Sequence, residues 1–146
     1  MVAAIAIPVL VFCASIVRTH EGRTKSGKAK FERLIRSPMT QFPNAGERLD
    51  VPHLQGVYII YDPKGRVAHV GRTVRGKRGL HQRLNNHLQG ASSFVQKELA
   101  EGSALRGGYK YRFIAIEDNR LRAFLEAFTI GQLCPDHIGG GALLSE

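Results

Sequence analysis

The chain has 146 residues, enough for one domain with a single core that needs no disulfide or metal staple. An apolar fraction of 43% and a charged fraction of 23% exclude a disordered or fibrous chain, and two cysteines, Cys13 and Cys134, exclude a disulfide framework or a cysteine-built zinc site and read as reduced thiols. The formal net charge of +9 is clustered. Residues 64–83 carry Lys64, Arg66, Arg72, Arg75, Lys77, Arg78 and Arg83 with no acidic residue, the footprint of a polyanionic partner.

Residues 1–17 are uncharged and nearly all apolar. The segment is short for a bilayer span, contains Pro8, and lacks the positive start of a secretory signal. It fits a packed helix or strand, a membrane anchor, or an unrepresentative start to the reading frame. If it is an anchor, the basic residues after it keep the following domain cytoplasmic, the location expected on the other readings too. Residues 18–30 read as a basic, mobile linker. Residues 31–36 read as a short helix with Phe31, Leu34 and Ile35 on one face. Pro38, Pro43, Pro52 and Asn44-Ala45-Gly46 make residues 37–52 a loop. The chain thus divides into an apolar segment (1–17), a basic, loop-rich extension (18–53), a core domain (54–141) and a tail (142–146).

The core opens with Gly56–Tyr61, rich in β-branched and aromatic residues and hence a strand. Asp62-Pro63-Lys64-Gly65 is a turn that returns the chain into a partner strand at 66–70, placing Tyr58 and His69 side by side on one sheet face. A Gly- and Arg-rich loop (73–79) leads to a helix over 80–89, from the spacing of Leu80, Leu84, His87 and Leu88, and Gly90 ends it. Ser92 is placed to cap a second helix. Residues 109–117 alternate as a third strand. Asp118 or Asn119 caps a last helix bearing Leu121, Phe124, Leu125, Phe128 and Ile130, and a Gly-rich tail follows (Gly139-Gly140-Gly141). The expected fold is α+β, in the order β-β-α-α-β-α, with a small, mainly antiparallel three-stranded sheet flanked by helices.

Five points along this order resemble the GIY-YIG nuclease family. Gly56-Val57-Tyr58 matches the first triplet. His69-Val70-Gly71, followed by Arg72-Thr73, matches the second, with His in place of its first Tyr. The helix Leu80-His81-Gln82-Arg83-Leu84-Asn85-Asn86-His87 is similar to the arginine helix, and Leu125-Glu126-Ala127-Phe128 to the glutamate helix. Leu133-Cys134-Pro135-Asp136-His137 is similar to the segment that usually ends in Asn.

The resemblance implies a metal-dependent endonuclease acting on duplex or branched DNA, with RNA as a further possible substrate and no small-molecule cofactor. Repair, restriction, mobile-element and defence enzymes share this domain; no zinc finger or helix-turn-helix signature points to a long sequence-specific homing enzyme. Glu126 would bind one Mg²⁺ or Mn²⁺, a hard ion that keeps most of its waters. Arg83 would grip two phosphate oxygens, as a guanidinium does and an ammonium does not. His87, one turn later, would donate to phosphate or assist proton transfer. Tyr58 would activate water, its phenolate favoured by Arg83, His69 and the cation over the ordinary pKa near 10. His69 is also a natural base at physiological pH. Arg72, Arg75, Lys77, Arg78 and His137 would contact nucleic acid, and Gly56 and Gly71 would allow close approach at the strand ends. Two alternatives stand beside this reading: a binding module whose active site has decayed, motivated by His69 and His137, and a membrane-tethered basic adaptor, motivated by residues 1–17.

Overall fold

The computed structural model describes residues 9–139, with side chains from Glu21 onward except Arg23. The apolar start at residues 1–8, the side chains of the rest of that segment, and the tail from Gly140 lie outside the described residues. In chain order the elements are α1 (Val9–Arg36), β1 (Thr40–Gln41), β2 (Gly56–Tyr61), β3 (Val67–Arg72), α2 (Gly79–Leu88), a π-helical turn (Val95–Leu99), a 3-10 turn (Gly102–Arg106), β4 (Lys110–Ala115) and α3 (Asn119–Leu133). The strands form one antiparallel sheet in the order β1-β4-β2-β3. The expected α+β architecture is present, with β1 as a fourth, very short strand in a stretch that reads as loop. The helix expected from Ser92 is instead the π-helical turn, and Ser92 Oγ accepts from Val95 N, at the start of that turn, at 3.3 Å.

The hairpin forms for the reason the sequence gives. Asp62 Oδ1 accepts from the backbone N–H of Lys64 and of Arg66, each at 2.9 Å, and Gly65 takes φ +83°, so the turn is closed by a side chain and a glycine. Strand β2 is central and buried along its whole length, which is why it reads as a continuous apolar run rather than an alternating one. Its odd and even residues feed two cores. Tyr58 and Ile60 pack with Leu80, Leu84, Phe94 and Tyr111 on one face; Val57 and Ile59 pack with Leu34, Val70, Ile114 and Leu125 on the other.

Two expectations are corrected here. The basic stretch 18–30 is not a linker: it lies within α1, which runs unbroken into the packed residues 31–36. A Cβ on Gly27 would overlap the Phe124 ring, so glycine lets α1 lie close against α3, and Phe31 meets Phe128 edge-on at 5.5 Å. Among the described side chains of this stretch, Glu21, Lys25 and Lys28 are exposed. The extension is also not separate from the core, since Leu34, Phe42, Leu49 and Val51 are all buried in it. Among the described residues, no helix is long and apolar enough to cross a membrane.

Arg122 fixes the start of α3. Its guanidinium, 3% exposed, donates to Thr73 O at 2.8 Å, Ile116 O at 2.8 Å, Glu117 O at 2.9 Å and Asn119 Oδ1 at 3.2 Å. Replacing it strands several buried carbonyls at once. Arg122→Ala is expected to cost about 3 kcal/mol or more, read as a lowered denaturation midpoint, and Arg122→Lys should recover only part of that.

Candidate active site

The site lies at the outer edge of the sheet, along β3, and draws on both faces of the sheet. Tyr58 stands directly opposite Gly71, and His69 opposite Ile60, so the two rings are diagonal neighbours with centroids 6.0 Å apart. Gly71 is required here: a Cβ would collide with the Tyr58 hydroxyl and come within 3.1 Å of His69 Nε2. Gly56 faces the Ile114 carbonyl in the same way. Helix α2 packs on the Tyr58 face through Leu80 and Leu84, which turns Arg83 and His87 toward the phenol. Helix α3 packs on the opposite face and brings Glu126 to the same edge.

Tyr58, His87 and Ser92 form a buried chain. The Tyr58 hydroxyl lies 2.7 Å from His87 Nε2, His87 Nδ1 lies 2.6 Å from Ser92 Oγ, and Arg83 Nε donates to the Tyr58 hydroxyl at 3.3 Å. His87 is fully buried, as is Tyr58, and the two are joined ring to ring through the hydroxyl–Nε2 contact. His69 Nδ1 lies 3.3 Å from the carbonyl of His137; a carbonyl only accepts, so the proton sits on Nδ1 and the lone pair on Nε2. That Nε2 has no hydrogen-bond partner. The His69 ring stacks on Phe94, 5.0 Å between centroids at 7°.

A cleft of about 180 Å³ opens beside these groups, lined by His69, Gly71, Arg72, Arg83, Ser93 and Glu126 among others. A second hollow of about 280 Å³ shares Arg72 and Arg83 with it and continues to Arg75, Gln82 and Asn86. Arg75, Lys77 and Arg78 are exposed on the loop before α2. Arg72, which lines both hollows, pairs with Glu126: its Nε donates to Oε2 at 2.7 Å. His137 stands beside His69 rather than at the open cleft, 4% exposed, with its Nδ1 3.3 Å from Glu98 Oε1.

Burial dominates the ionisation of the site. It pushes the Tyr58 hydroxyl up to about 12, against the opposing pull of Arg83. The expectation that its neighbours favour the phenolate is therefore corrected for the protein groups alone, since desolvation outweighs the guanidinium. Burial lowers His69 to about 4, partly offset by its bond to the His137 carbonyl, and lowers His87 well below the ordinary value, with the charges of nearby His69 and Arg83 adding to the effect. Burial also raises the Glu126 carboxyl, with Arg72 and Arg83 offsetting part of the effect. At neutral pH the site therefore holds a neutral phenol and two neutral imidazoles, beside the Arg72–Glu126 ion pair.

The depressed His69 makes the fold acid-sensitive. Below pH 6.5 the unfolded chain takes up a proton at this imidazole, whereas the folded chain does so only near pH 4. Stability is thus present above pH 6.5 and is lost as pH falls through that window, by about 3 kcal/mol for this group. Denaturant titrations at pH 7 and pH 4 should show the loss, and His69→Phe should flatten it.

Sequence reasoning missed two members of this constellation, Ser92 at His87 and Glu98, and one pairing, Arg72 with Glu126. Ser92 reads as a helix cap, yet its hydroxyl also engages His87 five residues earlier, a proximity visible in the sequence across the Gly90 turn. Glu98 meets His137 across 39 residues of chain, and the Arg72–Glu126 pair spans 54; no local pattern announces either.

The structure matches the GIY-YIG N-terminal endonuclease domain of UvrC from Thermotoga maritima, bound to magnesium as its catalytic divalent cation, with TM-score 0.42 and 22% identity over 60% of this chain and 86% of that one. Two single-substitution forms of the same domain, one with asparagine replaced by alanine and one with tyrosine replaced by phenylalanine, match with the same values. No protein-family model matches the chain, and no curated protein does.

Proposed function

We propose that the chain is a metal-dependent endonuclease of the GIY-YIG type that hydrolyses DNA phosphodiester bonds in the cytoplasm. One observation carries the reading: His69, Arg83 and Glu126 border a single cleft with Tyr58 beside it, and these are the residues that stand at the family's positions in the sequence.

Each group has a task suited to its state. Arg83 grips the scissile phosphate, and Arg75, Lys77 and Arg78 hold the backbone on either side, giving affinity without sequence readout. His69 takes the proton of the attacking water on Nε2, whose lone pair is free at neutral pH. Tyr58, kept as a phenol by burial and fixed by His87 and Arg83, orients that water. Arg72 keeps the Glu126 carboxylate aimed into the cleft. Glu126 fits a hard divalent cation: it is the acidic side chain lining the cleft, and no cluster of three His, Cys, Asp or Glu converges among the described residues, which suits Mg²⁺ or Mn²⁺ held by one carboxylate and water. When bound, such an ion supplies charge neutralisation for the pentavalent phosphorus and the leaving oxygen.

The test is incubation with supercoiled plasmid, linear duplex and branched DNA, with Mg²⁺, Mn²⁺ or chelator. Nicking that requires the cation is expected, and its absence with every substrate and metal would sink the proposal. A second reading, a binding module without cleavage, draws on the Arg72–Glu126 ion pair, which occupies the carboxylate. It predicts DNA retention that falls steeply with salt and no nicks at any metal concentration.

A further inference from the structure

We infer that His69 and His137 form a binding site for a tetrahedral d-block cation of the Zn²⁺ class, distinct from the hard cation assigned to Glu126. Residues 69 and 137 form a parallel bridge, flanked by His137 N donating to Ala68 O at 3.0 Å and Asp136 N donating to Val67 O at 3.1 Å. The two side chains therefore leave the same face of the sheet edge, side by side.

Each ring has the outer-shell arrangement of a metal-binding imidazole. His69 Nδ1–H is held by a backbone carbonyl at 3.3 Å and His137 Nδ1–H by the Glu98 carboxylate at 3.3 Å, which fixes both tautomers with the lone pair on Nε2. Both residues are only 4% exposed, and both Nε2 atoms are buried with no hydrogen-bond partner. Two buried acceptors on neighbouring rings without a donor are costly, and one shared cation would satisfy both.

The spacing agrees. For a Zn–N length of about 2.05 Å, a ring centroid lies about 3.2 Å from the metal, so two imidazoles at the tetrahedral angle have centroids about 5.2 Å apart. The His69 and His137 centroids are 5.3 Å apart. Phe94 walls both rings, at 5.0 and 5.6 Å, giving the apolar surround that suits a borderline-soft ion more than a heavily hydrated hard one. Among the described residues no third His, Cys, Asp or Glu completes the set, so water or a phosphate oxygen takes the remaining positions. A cation here consumes the His69 lone pair; on the nuclease reading of the preceding subsection, it inhibits cleavage.

The test uses the full chain stripped of metal and titrated with Co²⁺ as a spectroscopic probe. The background carries His53→Ala, Cys13→Ser and Cys134→Ser, because His53 and His81 make another imidazole pair at 4.8 Å and thiols bind cobalt. One Co²⁺ per chain with the intense visible bands of tetrahedral coordination is expected, displaced by Zn²⁺ and not by excess Mg²⁺. His137→Ala should remove the bands. Glu98→Gln, at an exposed position that leaves the fold intact, should weaken affinity about 10- to 100-fold. Absence of tetrahedral bands, or an affinity unchanged in Glu98→Gln, overturns the site. No DNA is involved, so failure of the nuclease reading leaves this result untouched.

Discussion

Glu126→Ala is expected to abolish Mg²⁺-dependent cleavage, by about 10³-fold or more, while leaving DNA binding in place. The carboxylate is the acidic side chain that borders the cleft with His69 and Arg83, and burial already raises it despite Arg72. Removing it takes away the anchor for a charge that would otherwise contribute several kcal/mol to phosphorane stabilisation, which converts to that fold-change. Binding rests on other groups. Arg75, Lys77 and Arg78 are untouched, and Arg72 is freed from its 2.7 Å ion pair to add one positive charge to the same surface. Affinity measured against salt concentration should therefore hold or rise slightly, with a slope at least as steep as the parent's. Arg72→Ala is the matching control: it removes the ion pair and keeps the carboxylate, so cation-dependent cleavage should survive in reduced form. Undiminished Mg²⁺-dependent nicking by Glu126→Ala would remove the assignment of the carboxylate and with it the nuclease mechanism.

The parts of the fold that can be read from sequence are those decided locally. Asp62 and Gly65 make the hairpin turn by their own side chain and backbone freedom, and the run from Gly56 to Tyr61 is apolar because β2 is covered on both faces. The spacing of Arg83 and His87 likewise places both on one side of α2, toward Tyr58. What escapes is decided by contacts distant in the chain. The stretch 18–30 carries linker-like charge, and only the fit of Gly27 against Phe124 and of Leu34 into the core makes it part of a docked helix. His137 looks like a substitute for an amide at the cleft, but the parallel bridge to His69 carries it beside that ring and gives its Nδ1 to Glu98. The placement of Tyr58 beside His69 is legible, yet its ionisation is not, because burial is set by Leu80, Leu84, Phe94 and Tyr111 closing over the same sheet face.

The most discriminating expectation concerns which ring removes the proton from water. His69→Phe keeps the stack on Phe94 and the buried volume but removes both ring nitrogens, and cleavage should fall about 10²- to 10⁴-fold, the usual range for loss of a general base. Tyr58→Phe keeps its ring in the core and loses only the hydroxyl contacts to His87 and Arg83, so it should cost less. The pH profile separates the two bases without any mutation. With His69 lowered to about 4, the free base is fully populated from pH 6 to pH 8, and the rate should be level across that range with an acid limb only near pH 4. With Tyr58 raised to about 12, a phenolate base would give a rate that climbs about tenfold per pH unit, roughly a hundredfold between pH 6 and pH 8. A climbing profile that persists in His69→Phe would transfer the base to Tyr58 and leave His69 as its neighbour. A level profile lost in His69→Phe would show that an imidazole, whose lone pair is already free at neutral pH, performs in this site the step that a phenol must first be ionised to perform.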